Sequence, residues 1–163
     1  MHKLGLVLCL CTAIYLRAAE LEHEIKRAPI ELGLSLQLLV PNNISGFDTT
    51  LPLIGPHLGF DVGKNTLVLN AFYGSNDRTS TLLLSELDYR WNIYTPFITG
   101  WALLGVHYLH FRTNSENHDL LGPVTGLGFY FPMAHGLNMG LGMKIYLPKK
   151  TVLSFGGGFV YLL

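Results

Sequence analysis

Apolar and polar residues alternate strictly along parts of this chain. The clearest stretch, LNMGLGMKIYL at 137–147, has Leu, Met or Ile at every odd position and Asn, Gly, Lys or Tyr at every even one. A period of two residues is typical of a β-strand whose two faces meet different surroundings. In a soluble sheet the apolar face would pack into a core. In a membrane barrel it would contact lipid, and the polar face would line the lumen.

Seven more strands follow from the same alternation or from short apolar runs bounded by turn residues. The predicted strands are 30–40, 54–63, 66–74, 83–92, 97–111, 122–131, 137–147 and 151–163. The phase of the stretch 97–111 is ambiguous, and we place a β-bulge near Gly105. Strands of about ten residues, tilted by about 40°, match the roughly 25 Å apolar band of a membrane barrel.

The connections between these strands alternate in length. The first, third and fifth connections, at 41–53, 75–80 and 112–121, are long or medium and polar, whereas the second, fourth and sixth are short. The seventh, PKK at 148–150, is short where a long connection is expected. Outer-membrane barrels combine short periplasmic turns with longer external loops. The sequence therefore predicts an all-β, eight-stranded antiparallel up-and-down transmembrane β-barrel.

The composition agrees with contact between the strands and lipid. Only 13% of the residues are charged and 49% are hydrophobic, whereas a typical soluble domain has roughly 25% charged residues. The net charge is zero and there is no basic patch, so nucleic acid is not expected as a partner. The length of 163 residues predicts one domain.

The N-terminus resembles a secretory signal peptide. It has a basic residue, Lys3, followed by an apolar run over 4–16 and by Ala18 and Ala19. We predict a signal peptide at 1–19, a short polar lead-in at 20–29 and the barrel at 30–163. Cleavage after Ala13 and an uncleaved N-terminal helix are the alternatives. Both cysteines, Cys9 and Cys11, lie in the predicted signal peptide, so no disulfide is expected in the mature chain.

Aromatic side chains cluster towards one end of the predicted barrel, where membrane proteins carry interfacial girdles. If the chain enters from the periplasm, the even-numbered strands run towards the periplasm. The predicted girdle residues are then Tyr89, Trp91, Phe131 and Tyr161 at the periplasmic end and Tyr73 at the external end. Aromatic residues also favour strands in general, so β-propensity alone could explain these positions.

Over residues 30–163 the chain resembles the small eight-stranded outer-membrane barrels of the OmpA and OmpX type. The resemblance rests on the strand count, the loop asymmetry, the glycine-rich polar faces and the ending GFVYLL. The last strand of that family usually ends in an aromatic residue, with another aromatic two positions earlier. Tyr161 fits the earlier position, whereas Leu163 departs from the final one. The resemblance implies an architecture, and it implies the barrel-assembly machinery as a partner during biogenesis.

If the Leu, Met and Ile face points to lipid, the polar faces line a narrow lumen that side chains can just fill. The predicted polar network of the lumen comprises Glu31, His57, Asp61, Glu86, Asp88, Arg90 and Lys144. The same faces also carry Gln37, Asn70, Asn138 and Tyr146. Charges in so narrow a space must pair, form hydrogen bonds or be hydrated. We predict that Arg90 is the hub of the network, in contact with Asp88 and with at least one of Asp61 and Glu31.

No constellation of residues in the sequence predicts a catalytic, cofactor or metal site. One class of barrel enzymes that trim lipid A carries a His-x-Ser pair on a lipid-facing strand, and none of the seven histidines has Ser two positions later. His107 and His110 are three residues apart, which places them on opposite faces of a strand. Glycines 156–158 are not followed by a helix, so they do not form a phosphate loop.

The sequence favours a non-enzymatic protein of the bacterial outer membrane with a structural, adhesive or envelope-associated role. Outer-membrane lipid and lipopolysaccharide are the expected partners, and the expected state is a monomer without cofactors. One alternative is a lipid A-modifying barrel enzyme. Another is a soluble, lipocalin-like barrel that binds a small apolar ligand. Against the soluble barrel, the charge is low and the apolar faces exceed what one small core could bury.

Overall fold

Eight antiparallel strands form a closed barrel in which each strand pairs with its neighbours in chain order and β8 pairs with β1. This confirms the predicted all-β, eight-stranded up-and-down fold. The computed structural model describes residues 30–41, 50–76, 80–95, 97–112, 117–134, 136–147 and 151–163. The predictions for the signal peptide and the lead-in lie outside these residues. The strands are β1 Ile30–Pro41, β2 Leu51–Val62, β3 Asn65–Asn76, β4 Ser80–Tyr94, β5 Thr99–Arg112, β6 Asn117–Ala134, β7 Leu137–Tyr146 and β8 Val152–Leu162.

The apolar faces of the strands point outwards. On β1, Leu34 and Leu36 are 52% and 57% exposed, whereas Gln37 and Leu39, which point inwards, are 8% and 0% exposed. On β7, Leu141 is 44% exposed and Lys144 is 9% exposed. The face that holds the Leu, Met and Ile residues of 137–147 is therefore the outer surface of the barrel.

The two ends of the barrel differ in their connections. At one end, here called the turn end, residues 63–64, 95–98 and 135–136 connect the strands, and the start of β1 meets the end of β8. Gly63 and Gly136 lie in two of these turns with φ angles of 76° and 72°, a left-handed conformation that glycine adopts at little cost. At the other end, here called the loop end, the connections are 42–50, 77–79, 113–116 and 147–151.

Two predicted connections at the loop end were too long. β2 begins at Leu51 rather than at residue 54, and β6 begins at Asn117 rather than at residue 122. The polar segment 112–121 was predicted as a loop, but Arg112 pairs with Asn117 and the ladder continues towards the tip of the hairpin. Polar side chains hold this extension together, because the carboxylate of Asp119 is 2.7 Å from Nδ1 of His110 on the facing strand.

The predicted bulge near Gly105 is wrong. Gly105 pairs with Asp88 on one side and with Val124 on the other, and the register continues unbroken through all three strands. The irregularity lies instead between Pro132 and Ala134, at the turn end of β6.

The interior is divided into an apolar half and a polar half. Towards the loop end, side chains that are at most 4% exposed pack into a single apolar cluster. This cluster includes Leu39, Leu51, Leu53, Phe72, Leu82, Leu84, Leu109, Phe111, Val124 and Val152. Most polar interior side chains lie between this cluster and the turn end. The prediction of a lumen filled by polar side chains therefore describes only part of the interior.

Candidate functional site

Arg90 on β4 organises the polar interior near the turn end. Its Nη2 atom lies 2.6 Å and 2.7 Å from the two carboxylate oxygens of Glu31 on β1, across the barrel. Its other nitrogens donate to the hydroxyl of Tyr130 at 2.7 Å and to Oδ1 of Asn92 at 3.0 Å. Arg90 is 3% exposed, so these charge-assisted bonds form away from bulk water.

Lys144 on β7 organises a second cluster nearer the middle of the barrel. Its ammonium group contacts Oε2 of Glu86 and lies 3.0 Å from Oδ2 of Asp88, both on β4. The other oxygen of Glu86 accepts a hydrogen bond from the hydroxyl of Tyr146, which also lies 2.9 Å from Oε1 of Gln37. One ammonium group thus lies between two carboxylates and reduces their repulsion in a buried site.

His57 on β2 and Asn70 on β3 connect the two clusters. Nε2 of His57 is 3.3 Å from Oε2 of Glu31, and Nδ1 is 2.9 Å from Oδ1 of Asn70. Nδ2 of Asn70 donates to Oε2 of Glu86 at 3.0 Å and lies 3.5 Å from Oδ2 of Asp88. These contacts join the Arg90 cluster to the Lys144 cluster, so the polar interior is one continuous hydrogen-bonded network. Both connecting side chains are less than 10% exposed.

The arrangement around Arg90 differs from the predicted hub in one respect. The predicted contact between Arg90 and Glu31 is present, but the carboxylate of Asp88 lies beside Lys144. Asp88 and Arg90 are two residues apart on one strand, and their side chains reach different partners across the barrel. The sequence indicated that both residues share a face, and it could not indicate which cation lies opposite each carboxylate.

Asp61, which was predicted as part of the lumen network, is exposed at the turn end of β2. Several interior side chains were missed by the sequence reasoning. They are Thr66, Asn92, Trp101, His107, Tyr130 and Ser154. Counting alternate positions from a recognised interior residue would have found most of them, since Asn92 follows Arg90 by two positions. Trp101 and His107 were missed because the phase of β5 was ambiguous.

Glycines on β6 and β7 make room for two large interior rings. A Cβ atom at Gly142 would lie 2.6 Å from Cη2 of Trp101, and one at Gly140 would lie 2.6 Å from Cε1 of Tyr130. The two rings are 6.3 Å apart, and the guanidinium of Arg90 lies 5.0 Å from the centre of the Tyr130 ring. The glycines thus allow the aromatic rings to fill the interior beside the charged network.

A cavity of about 70 Å³ remains inside the barrel. It is bounded by the polar network on one side and by glycines of β7 and β8 on the other, with Asp88 and Trp101 among its lining residues. Oδ1 of Asp88 and Nε1 of Trp101 have no hydrogen-bond partner among the described residues. The cavity is large enough for a few water molecules, which need about 10–15 Å³ each on this measure.

The aromatic residues predicted as a girdle lie on the outer surface. Tyr73, Trp91 and Tyr161 are 54%, 43% and 47% exposed, whereas Tyr89 and Phe131 are partly exposed. At the turn end, Tyr89 packs edge-on against Trp91 with ring centres 5.1 Å apart. Phe129 and Phe131 pack in the same way at 5.4 Å. Two pairs of aromatic rings, one on β4 and one on β6, therefore lie on the outer surface at the turn end, whereas Tyr73 lies towards the loop end.

The described residues offer few groups for catalysis or metal binding. Among them, no three His, Cys, Asp or Glu side chains are grouped so as to hold a metal ion. His107 is 1% exposed inside the barrel, and His110 points outwards, so the two histidines lie on opposite faces. His110 and Tyr108 both contact Oδ1 of Asp119 at 2.7 Å on the outer surface near the loop end. Within the described part of the chain, no helix is long and apolar enough to cross a membrane.

The architecture matches solved structures of bacterial outer-membrane barrels. Neisserial surface protein A is 8% identical, with a TM-score of 0.62 over 83% of this chain and 97% of that one. The N-terminal barrel domain of Pseudomonas aeruginosa OprF is 12% identical, with a TM-score of 0.60 over 80% and 97%. The fold is that of a small outer-membrane barrel. The predicted resemblance to this architecture is confirmed.

Ail, the attachment invasion locus protein of Yersinia pestis, has the same fold, with 9% identity and a TM-score of 0.58 over 82% of this chain and 96% of that one. The sequence matches no protein-family model and no curated protein. At identities this low, the likeness establishes the fold of the barrel and leaves its role to be argued from the chain itself.

Proposed function

We propose that the chain is a non-enzymatic barrel of the bacterial outer membrane with a structural, adhesive or envelope-associated role. The observation that carries this proposal is the outward-facing apolar surface. On β1 alone, Leu32, Leu34, Leu36 and Leu38 form an unbroken row that is 44–57% exposed. Exposed apolar surface on this scale is unfavourable in water and matches the lipid-facing band of a membrane barrel.

The same surface argues against a soluble, lipocalin-like barrel. A soluble barrel of that type would carry its polar side chains outside and keep its apolar ligand site inside. In this chain the charged groups Glu86, Arg90 and Lys144 are inside and at most 9% exposed. The distribution is thus the reverse of the one that a soluble lipid-binding barrel needs.

Outer-membrane lipid and lipopolysaccharide are the partners that this surface suits. The paired aromatic rings at the turn end are suited to the interface between headgroups and acyl chains. The barrel-assembly machinery is a proposed partner during biogenesis, in line with Tyr161 near the end of the last strand. We propose that the barrel is a monomer, because ring closure between β1 and β8 leaves no strand edge for a second copy to join.

The interior suits a plug rather than a pore. The apolar cluster fills the loop half, and the ion pairs of Arg90 and Lys144 fill much of the turn half. An eight-stranded barrel has an interior that side chains can fill completely. We therefore propose that this protein serves through its surface and its external loops rather than by conducting solutes.

The two tryptophans allow a direct test of the membrane proposal. Trp91 points outwards, and Trp101 lies in the interior against the apolar cluster. Each can be observed alone, in Trp101→Phe and Trp91→Phe variants reconstituted into vesicles that contain phospholipid brominated on its acyl chains. Bromine quenches indole fluorescence on contact, so we expect strong quenching of Trp91 and weak quenching of Trp101.

Equal quenching of both residues, or stronger quenching of Trp101, would contradict the proposed orientation. Gel mobility with and without boiling tests for a folded membrane barrel on the unaltered protein. A folded membrane barrel extracted in detergent migrates differently from its boiled form. Recovery of the protein in the soluble periplasm without detergent would refute the membrane assignment altogether.

A second candidate function is a hydrolase that acts on lipid, and it is favoured by the contacts of Asp119. Asp119 holds Nδ1 of His110 at 2.7 Å, which leaves Nε2 available as a general base. Ser85 on β4 pairs with Tyr108 in the ladder and faces the same outer surface. These side chains lie in the half of the barrel nearer the loop end. With the loop end external, as proposed, they would face the outer leaflet.

The test of this candidate is mass spectrometry of lipopolysaccharide after incubation with purified protein. We expect loss of an acyl chain with the unaltered protein and no loss with His110→Gln or Ser85→Ala. A matched control is His107→Gln, since His107 lies inside the barrel, away from lipid. Unchanged lipopolysaccharide with the unaltered protein would eliminate the hydrolase and leave the non-enzymatic proposal intact.

A further inference from the structure

The charged groups of the interior network do not balance unless one more proton is bound. Three carboxylates, Glu31, Glu86 and Asp88, share the network with two fixed cations, Arg90 and Lys144. Fully ionised, the five groups would leave one uncompensated negative charge. A buried, unpaired charge is costly in a medium of low polarity. The hydrogen-bond pattern indicates where the balancing proton lies.

Both ring nitrogens of His57 face hydrogen-bond acceptors. Nδ1 is 2.9 Å from the carbonyl oxygen of Asn70. The orientation of that amide is fixed because its nitrogen lies 3.0 Å from Glu86 and 3.5 Å from Asp88. The opposite orientation would point the carbonyl at two carboxylates. Since an amide carbonyl can only accept, Nδ1 of His57 must carry a proton.

Nε2 of His57 faces Glu31 at 3.3 Å. Both oxygens of Glu31 also accept from Arg90, at 2.6 Å and 2.7 Å, which identifies Glu31 as an ionised carboxylate. An ionised carboxylate has no proton to donate. The lone pair of a neutral Nε2 would therefore point at a negative oxygen, so this nitrogen must also carry a proton.

We propose that His57 is a buried proton-binding site and that it is doubly protonated in the folded barrel at neutral pH. As an imidazolium it is the third interior cation, and it brings the sum of the network charges to zero. It also donates to both clusters, so that the proton links the Arg90 side of the network to the Lys144 side.

The charged or titratable groups of the network around this site come from four strands. They are Glu31 on β1, Glu86, Asp88 and Arg90 on β4, Tyr130 on β6, and Lys144 and Tyr146 on β7, whereas β3 contributes the neutral Asn70 and Thr66. Asp88 is the other place where the proton could reside, because its Oδ1 atom has no partner among the described residues. A proton on Asp88 would balance the charge and still leave Nε2 of His57 facing Glu31 without a hydrogen atom. The geometry therefore favours His57.

Nitrogen NMR of histidine-labelled protein in micelles tests the proposal. A His57→Gln variant assigns the signals, and near neutral pH we expect both nitrogens of His57 to resonate as protonated. His107 is a matched internal control, because it is also buried and neither of its ring nitrogens has a hydrogen-bond partner among the described residues. We expect His107 to show one protonated and one unprotonated nitrogen.

A Glu31→Gln variant gives a second measurement. It removes the negative charge that faces Nε2, so we expect His57 to become neutral and one of its nitrogens to shift to the unprotonated range. An unprotonated nitrogen on His57 in the unaltered protein near neutral pH would overturn the proposal, whether or not the variant folds. A protonated carboxyl signal from Asp88 would assign the proton to Asp88 and would likewise overturn it.

Discussion

Replacing Lys144 with Met is the sharpest test of the buried network. Met keeps an unbranched stem of similar length and removes the ammonium group that contacts Glu86 and lies 3.0 Å from Asp88. Both carboxylates have fully buried side chains. The loss of their shared cation should therefore cost about 3–5 kcal/mol. That cost corresponds to a decrease of roughly two to three and a half orders of magnitude in the equilibrium between folded and unfolded protein.

Urea unfolding in lipid vesicles, followed by tryptophan fluorescence, measures this free energy. Lys64→Met is the matched control, since Lys64 is exposed in the turn between β2 and β3. An exposed charge contributes about 0–1 kcal/mol, so the control should unfold close to the unaltered protein. A second change, Glu86→Gln in the Lys144→Met background, removes one of the stranded charges and should restore part of the lost stability.

If Lys144→Met unfolds within about 1 kcal/mol of the unaltered protein, Glu86 and Asp88 do not need the Lys144 ammonium group to remain buried in the folded barrel. If the double variant is less stable than Lys144→Met alone, the cost arises from lost hydrogen bonds rather than from uncompensated charge. Both results would contradict the electrostatic reasoning, and each would do so for a different reason.

Three further predictions concern packing, conduction and location. Gly142→Ala should destabilise the barrel, because its Cβ atom would lie 2.6 Å from Cη2 of Trp101. Gly100→Ala should be close to neutral, because the nearest atom to its Cβ is 3.7 Å away. The urea midpoints of the two variants provide the comparison. In planar bilayers the protein should give no stable single-channel current, and stepwise openings would refute the plugged interior. The chain should fractionate with outer membranes after loss of about the first 19 residues, which N-terminal sequencing checks.

The strand count followed from the two-residue period. The fold class and the outward face followed from that period together with the low charge and the alternating lengths of the connections. The interior positions of Glu86, Asp88 and Arg90 followed from the same rule. The ion-pair partners of these residues could not be predicted from the two-residue period, because Lys144 and Glu31 reach them across the barrel rather than along a ladder. Contacts of that kind depend on how far each strand is staggered around the ring, and no local pattern records the stagger.

Two other features could not be inferred from the pattern for a different physical reason. Leucines such as Leu39 and Leu84, which form the interior apolar cluster, have the same chemistry as the leucines that face outwards. Only the phase of each strand distinguishes them. The loop-end part of β6 was missed because its polar residues are typical of a loop, whereas the pairing of His110 with Asp119 holds them in the ladder.

The division of the interior into an apolar half and a polar half has a consequence for insertion into the membrane. If the barrel lies in the outer membrane as proposed, with its longer loops outside, the loop end crosses the hydrocarbon layer first. In this chain the interior side chains of that leading end are Leu, Phe and Val, which dissolve in hydrocarbon even before the ring closes. The charged side chains follow at the trailing end, where periplasmic water can solvate them until Arg90 meets Glu31 across the ring. In this direction of insertion, the charged side chains of the interior network do not have to cross the bilayer before they are paired.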